Sequence, residues 1–281
     1  MAIVYALCSL VFAGINDAVF KSYSAKSRPL GAFFLITGLM SLAVFSARGL
    51  ARGALFLDAP TLGLGLAAGF FSAAANILLV YAMRHTGAAV ASSIYRLNLV
   101  LVALLAFVFL GESFPPAKLA ALAIAVAAVL VFSGSEGARP GAARFVGVLV
   151  AACALRAGMG LLYKVASLHH VCEDSFLALT GFTWAISGLL LHLFGKERGA
   201  PGDRGAWRIP LVSGALICGI ILTMKLAVNT GEAGVVITIT QFSFLVTFPI
   251  ATVAFREKVT PRKVAGLALA AGCIALLTQI P

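Results

Sequence analysis

Long apolar runs separated by short polar turns account for almost the whole of this 281-residue chain. The runs are apolar on every side for about 20 residues, which is the length of a helix that crosses the hydrocarbon core of a bilayer. Ten of them are present: Ala2–Ser24, Leu30–Ala47, Thr61–Met83, Ala88–Leu110, Ala117–Ser133, Phe145–Ser167, Ser175–Phe194, Ile209–Asn229, Ala233–Phe255 and Val264–Ile280. We therefore predict ten transmembrane helices, and we call the membrane side on which the chain begins the N-terminal face.

The composition excludes a water-soluble protein. Hydrophobic residues make up 61% of the chain, charged residues only 11%, and the mean hydropathy is +1.04, whereas a soluble domain carries about 25% charged residues. The strands of a membrane barrel would alternate apolar and polar residues over about ten positions, and these runs do not. The predicted fold class is an all-α membrane protein.

The chain repeats itself after about half its length. Glu112 and Pro116 recur as Glu257 and Pro261, 145 positions later. Five helices per half is an odd number, so the second half enters the membrane upside down relative to the first. Inverted repeats of this kind are typical of transporters, with the binding site near the midplane between the halves. We predict a first repeat at 1–136, a linker at 137–143 and a second repeat at 144–281.

The turn before the last helix of each half resembles a family motif, Leu-Gly-Glu-x-x-x-Pro. Gly111, Glu112 and Pro116 match it, while the second copy has Arg256 where Gly is usual. In this respect the chain resembles the EamA-type members of the drug/metabolite transporter superfamily. The resemblance implies a ten-helix bundle around a central cavity, lined mostly by helices one, three, four, six, eight and nine. It also implies that the last helix of each half supports packing or dimerisation, which leaves a homodimer open.

A few charged residues fall inside the predicted helices, where each costs roughly 2.5–3.5 kcal/mol even on the mildest scale. Arg156 lies at the middle of helix six. Arg96 and Asp17 lie about 4.5 and 6 Å from the midplane, toward the face opposite the N-terminus, at 1.5 Å per residue. Their similar depth favours a structural ion pair, with a gate or a proton-linked switch as the alternative. Lys225 lies about 9 Å from the midplane toward the N-terminal face.

Arg156 and Lys225 have no acidic residue at their depth, which predicts an anionic partner such as a substrate carboxylate or phosphate. The alternative is that they bind backbone carbonyls or water. The candidate substrate site comprises three cations, Arg96, Arg156 and Lys225. Polar neighbours complete it, although each is also compatible with helix packing: Tyr95, Asn98, Asn76, Tyr163, Thr238 and Gln241. The last two lie near the expected repeat image of Arg96, Thr240.

Other chemistry finds little support in the sequence. The net charge of +11 sits mostly in short loops, which indicates topology signals that contact lipid headgroups and not nucleic-acid binding. The segment from His169 to Asp174 has the residue types of a metal site, but no second cluster completes a ligand shell. No nucleotide-binding motif is present. We expect no cofactor, no metal and no enzymatic activity.

The loop charges predict the orientation. Three lie on the N-terminal face (Arg48, Arg52 and Lys118), and fourteen on the opposite face: Lys21, Lys26, Arg28, Arg84, Arg139, Arg144, Lys196, Arg198, Arg204, Arg208, Arg256, Lys258, Arg262 and Lys263. By the positive-inside rule the opposite face is cytoplasmic and both termini are outside, whereas the family resemblance implies termini inside. We expect a bacterial cytoplasmic membrane.

These observations predict a secondary transporter that moves a small organic anion or zwitterion by alternating access. The alternatives are a flippase for a lipid with an anionic headgroup and an integral membrane enzyme. The enzyme is disfavoured because Asp17 is the only carboxylate that we place within the membrane and no catalytic constellation accompanies it.

Overall fold

The computed structural model describes residues 1–24, 28–86, 94–113, 115–133, 142–195, 203–256 and 259–278. Within these ranges the chain is helical and contains no strand. The ten helices are α1 (Ala2–Ser24), α2 (Leu30–Ala51), α3 (Ala59–Thr86), α4 (Asn98–Leu110), α5 (Pro116–Ser133), α6 (Val146–Leu168), α7 (Glu173–Phe194), α8 (Gly205–Thr230), α9 (Ala233–Thr240 and Phe244–Phe255) and α10 (Pro261–Leu277). They match the ten predicted runs, and the ten-helix membrane fold is confirmed.

In the described part of the chain, seven segments are long and apolar enough to cross a membrane by themselves, and two shorter apolar helices, Ile94–Leu110 and Pro116–Phe132, accompany them. The predicted linker at 137–143 lies almost wholly outside the described residues, so the domain boundaries remain a prediction. Glu257, the acidic residue of the second motif copy, also lies outside them.

The helix contacts fall into pairs that a two-fold relation between the halves requires. Three contacts join a helix to its own repeat image: α2 with α7, α4 with α9, and α5 with α10. The other major contacts occur in equivalent pairs, one from each half. The contact of α1 with α8 corresponds to that of α6 with α3, and the contact of α2 with α8 corresponds to that of α7 with α3. The two halves therefore pack against each other through equivalent surfaces.

The α2–α7 seam depends on glycine. A Cβ atom at Gly38 would overlap the backbone nitrogen of Ala185, and one at Gly188 would overlap the backbone nitrogen of Leu35. Small residues at such positions allow two membrane helices to approach at backbone distance, where packing takes the place of the hydrophobic effect.

The equivalent helices α4 and α9 are both irregular near the midplane. A turn at Leu97 separates α4 from a short helical segment, Ile94–Arg96, that precedes it. A 3₁₀ turn at Gln241–Ser243 divides α9, and Phe242 within it leaves the helical region, with φ −84° and ψ 21°. This break precedes Pro249, which lies inside the second part of α9. Leu97 and Phe242 are 145 positions apart, so the interruption is itself repeated.

Candidate functional site

Arg96 and Asp17 form an ion pair inside the bundle, as their common depth predicts. The distance from Arg96 Nη2 to Asp17 Oδ2 is 3.3 Å. Arg96 Nη1 donates to the hydroxyl of Ser243 at 3.1 Å and to the backbone carbonyl of Gln241. The turn at Gln241–Ser243 makes this carbonyl accessible, because in a regular helix it would accept a hydrogen bond from a backbone amide of the same helix.

Two hydroxyl groups of α9 extend this pair. Ser243 Oγ donates to Asp17 Oδ2 at 2.8 Å, and Thr247 Oγ1 lies 3.2 Å from the same oxygen. The Asp17 side chain is still 40% exposed, whereas that of Arg96 is 17% exposed. The sequence analysis did not single out Ser243 or Thr247, and their spacing of one helical turn on α9 is the only signal that could have indicated them.

Arg156 differs from Arg96 in having no acidic partner among the described residues. Its Nη1 lies 3.4 Å from the thioether sulfur of Met159, and no described carboxylate lies within 4.0 Å of its guanidinium group. The positive charge of the guanidinium group acts on the phenol groups of both Tyr95 and Tyr163. The structure therefore brings three predicted site residues, from α6 and the segment before α4, into one region.

Two polar atoms near this region are buried without a hydrogen-bond partner among the described residues. They are the hydroxyl of Tyr95 and Oδ1 of Asn98. The amide nitrogen of Asn98 donates to the carbonyl of Tyr95 at 2.7 Å, which fixes the side chain. Leaving a buried polar atom unpaired costs about 1–3 kcal/mol, so these atoms are candidates to bind a ligand.

Lys225 is the most buried cation of the bundle's interior, with 1% of the residue exposed. Its Nζ donates to the backbone carbonyl of Tyr163 at 3.0 Å and lies 5.2 Å from the centre of the Phe176 ring. No described carboxylate lies within 4.0 Å of it. The sequence analysis left a carbonyl or an anion as alternatives for Lys225, and in this structure a carbonyl is bound.

Comparison with known proteins connects the first half of the chain to a family. Residues 1–134 match the model of the EamA-like transporter family. A solved crystal structure shares the fold of this chain with a TM-score of 0.85, covering 99% of this chain and 96% of the other at 18% sequence identity. No curated protein matches the chain.

The remaining predicted site residues form hydrogen bonds elsewhere in the bundle. Asn76 Nδ2 donates to the carbonyl of Ser72 and Thr238 Oγ1 to that of Gly234, each one turn back on its own helix. Gln241 contributes its backbone carbonyl to Arg96. In this structure the side chains of Asn76 and Thr238 therefore form hydrogen bonds within their own helices.

A cavity of about 450 Å³ opens at the N-terminal face of the transporter, between the α2–α3 and α6–α7 turns. The segment that resembles a metal site supplies four of its lining residues, His170, Cys172, Glu173 and Asp174. The end of α2 and the α2–α3 turn supply Arg52, Ala54, Phe56 and Asp58. Within the described part of the chain, no three His, Cys, Asp or Glu side chains are arranged to hold a metal ion. Arg48 neutralises the acidic pair in this cavity, at 3.3 Å from Glu173 and 2.9 Å from Asp174.

Proposed function

We propose that this membrane transporter carries a small organic anion or zwitterion by alternating access, and that Arg156 binds the carboxylate or phosphate of the substrate. The observation that carries the proposal is the position of Arg156 at the middle of α6, where the thioether of Met159 is its only hydrogen-bond partner among the described residues. A charge in that position needs a partner, because hydrocarbon and protein interior solvate it poorly.

The surrounding groups fit an anion. A guanidinium group offers two parallel N–H donors to a carboxylate or phosphate, and the unpaired hydroxyl of Tyr95 supplies a third donor. Lys225 adds a second positive charge that no described carboxylate within 4.0 Å neutralises. Arg96, in contrast, is already neutralised by Asp17, so we assign it to gating or coupling and not to primary binding.

Energy for transport would come from an ion gradient or from exchange, because the sequence has no nucleotide-binding motif. Asp17 is the group that we propose as the coupling element. It is partly exposed and paired with Arg96, so protonation of Asp17 would release Arg96 from the ion pair. We further propose that the face opposite the N-terminus is cytoplasmic, on the loop charges given above. A reporter fused to the C-terminus and active only in the cytoplasm would refute this orientation.

The experiment is a thermal-shift screen of the purified protein against organic anions, organic cations and neutral metabolites. A ligand at about 100 times its Kd stabilises the protein that binds it by about 2.7 kcal/mol. We expect organic anions to stabilise the wild type and Arg156→Lys in part, but not Arg156→Met. Arg144→Met is the matched control, since Arg144 is exposed in the turn before α6, and it should respond like the wild type.

Two results would contradict the proposal. Stabilisation by cations alone would remove the charge argument, and an undiminished response of Arg156→Met would show that the anion binds elsewhere. Stabilisation by anionic phospholipids but not by their free headgroups would identify the substrate as a lipid.

A further inference from the structure

A buried group of charges joins the two halves of the bundle at the N-terminal face. It consists of Glu112, Lys118 and Glu232, and we call it the Lys118 cluster. The carboxylate of Glu112, in the α4–α5 turn, accepts hydrogen bonds from the backbone amides of Ala233 at 2.6 Å and Gly234 at 3.2 Å. These amides are the first of α9, so a negative charge from one half caps the positive end of a helix from the other.

Lys118 completes the connection. Its Nζ lies 2.7 Å from Glu232 Oε2 and 3.3 Å from Glu112 Oε2, and it donates to the carbonyl of Ser113 at 3.0 Å. Lys118 was counted among the loop charges of the N-terminal face, and the structure places it in the first turn of α5. Its side chain is 4% exposed, and that of Glu112 is 7% exposed.

The segment before α9 is held from a second direction. Lys164, at the end of α6, donates to the carbonyls of Gly231 at 2.6 Å and Val228 at 3.1 Å. These are carbonyls at the end of α8 and in the turn that follows it, which a helix leaves without internal partners. The α8–α9 turn is thus fastened by Lys164 on one side and by the Lys118 cluster on the other.

The first part of α9 ends at a discontinuity. Ala233–Thr240 has eight residues, a length of about 12 Å, and the 3₁₀ turn at Gln241–Ser243 follows it. A short helix with an irregular turn at one end and a charged cap at the other can rotate about the turn once the cap is released, since hinges are few-residue breaks at the ends of elements.

The exposure of the interior charges agrees with closure at this face. Lys225, which lies toward the N-terminal face, is 1% exposed. Asp17, which lies toward the opposite face, has a side chain that is 40% exposed. Both lie inside the bundle, so at these two charges the interior is more enclosed toward the N-terminal face than toward the opposite face.

We propose that the Lys118 cluster is the closure of the transport path at the N-terminal face. Opening begins with loss of the contact between Lys118 and Glu232 and continues with loss of the hydrogen bonds from Ala233 and Gly234 to Glu112, after which the first part of α9 swings about Gln241–Ser243. The proposal rests on the alternating access argued above. Glu232 is the releasable member, because its side chain is 35% exposed and can exchange Lys118 for water, whereas Glu112 is buried against the helix end.

Access to a native cysteine tests this without knowledge of the substrate. Cys153 lies on α6 one turn before Arg156. Its side chain is buried and interacts electrostatically with Tyr95. In a background where Cys8, Cys172, Cys218 and Cys273 are changed to Ala, a membrane-impermeant maleimide is applied to the N-terminal face of sealed vesicles. We expect Glu232→Gln to increase the labelling rate of Cys153 roughly fivefold or more, the population change for about 1 kcal/mol.

The matched control is Asp203→Asn, which breaks the 2.6 Å pair between Arg28 and Asp203 at the opposite face. It should leave labelling from the N-terminal face unchanged. Equal labelling of the wild type and Glu232→Gln, with both proteins intact by size exclusion, would overturn the proposal. Labelling depends on neither anion nor cation binding, so this outcome is independent of the thermal-shift result.

A reversible lock gives a second measurement. Ser113 Oγ lies 3.4 Å from Glu232 Oε1, so the pair Ser113→Cys and Glu232→Cys places two thiols across the closure, within the span of a short bis-methanethiosulfonate cross-linker. The cross-link should suppress labelling of Cys153 from the N-terminal face below the wild-type rate, and reduction of the cross-link should restore it. Unchanged labelling of the cross-linked protein would show that the path does not open here.

Discussion

Arg96 donates a hydrogen bond to the backbone carbonyl of Gln241, and the two residues are repeat images of one another. Their separation of 145 positions equals that between Glu112 and Glu257 in the family motif. Gln241 is the neighbour of Thr240, the image of Arg96 expected from the sequence. The contact joins equivalent points of α4 and α9, so it lies close to the two-fold axis that relates the halves.

The ion pair beside this contact should be worth more to the protein than a surface pair. Asp17→Asn leaves Arg96 with neutral partners only, and we expect a loss of about 1–2 kcal/mol in the free energy of unfolding. A fully buried pair would lose about 3–5 kcal/mol, and the 40% exposure of Asp17 reduces this through solvent screening. Thermal unfolding in detergent measures it. The loss should shrink in an Arg96→Met background, and a loss of equal size there would show that the two side chains are not coupled.

Lys225 and Lys164 should respond in opposite ways to replacement by methionine. Lys164→Met removes two charge-assisted hydrogen bonds to carbonyls and should lower stability by about 1.5–3 kcal/mol. Lys225→Met removes a buried charge that has one carbonyl partner, so the stability of this variant should be unchanged or higher than that of the wild type. The variant should respond more weakly to organic anions in the thermal-shift assay. Equal destabilisation by the two variants would contradict a binding role for Lys225.

At the ends of α4 and α9, a left-handed backbone conformation should lower the free energy of unfolding. Gly111 has φ 65° and its counterpart Arg256 has φ 52°, a conformation that costs a residue with a Cβ about 1–2 kcal/mol. Arg256→Gly should therefore raise stability by about 1 kcal/mol. Gly111→Ala is the matched opposite: nothing lies within 4 Å of the added Cβ, so its destabilisation of about 1 kcal/mol is purely conformational. Chemical denaturation compares them, and a destabilised Arg256→Gly would show that the Arg256 side chain has a role of its own.

Cys172 should react with alkylating agents at lower pH than an ordinary thiol. Burial by itself raises the pKa of this thiol, but hydrogen bonds from Ser175 and from nearby backbone amides lower it overall. The reactive species is the thiolate, and a lowered pKa keeps it populated as the pH falls below the usual thiol range. With the other four cysteines replaced by Ala, the pH profile of iodoacetamide labelling measures this. Ser175→Ala should move the profile to higher pH, and an unchanged profile would rule out this hydrogen bond as the cause.

Helix positions and charge depths followed from the sequence, because both depend on counting residues along a run. The length of each apolar run predicted α1 to α10, and the common depth of Asp17 and Arg96 predicted their ion pair. The absence of acids at the depth of Arg156 predicted a cation without a carboxylate. Lipid imposes these features locally, since every spanning segment must satisfy its own backbone and hide few charges.

Only the tertiary structure decided which partners meet. The hydroxyl groups of Ser243 and Thr247 contact Asp17, and Lys225 donates a hydrogen bond to a carbonyl of α6. Thr238 forms its hydrogen bond within its own helix. Lys118 is buried between Glu112 and Glu232. The last of these contacts joins residues 114 positions apart. Such contacts depend on how helices pack across the two halves, where a rotation of one helix changes every neighbour, and the apolar pattern of a membrane helix constrains that rotation weakly because lipid accepts any apolar face.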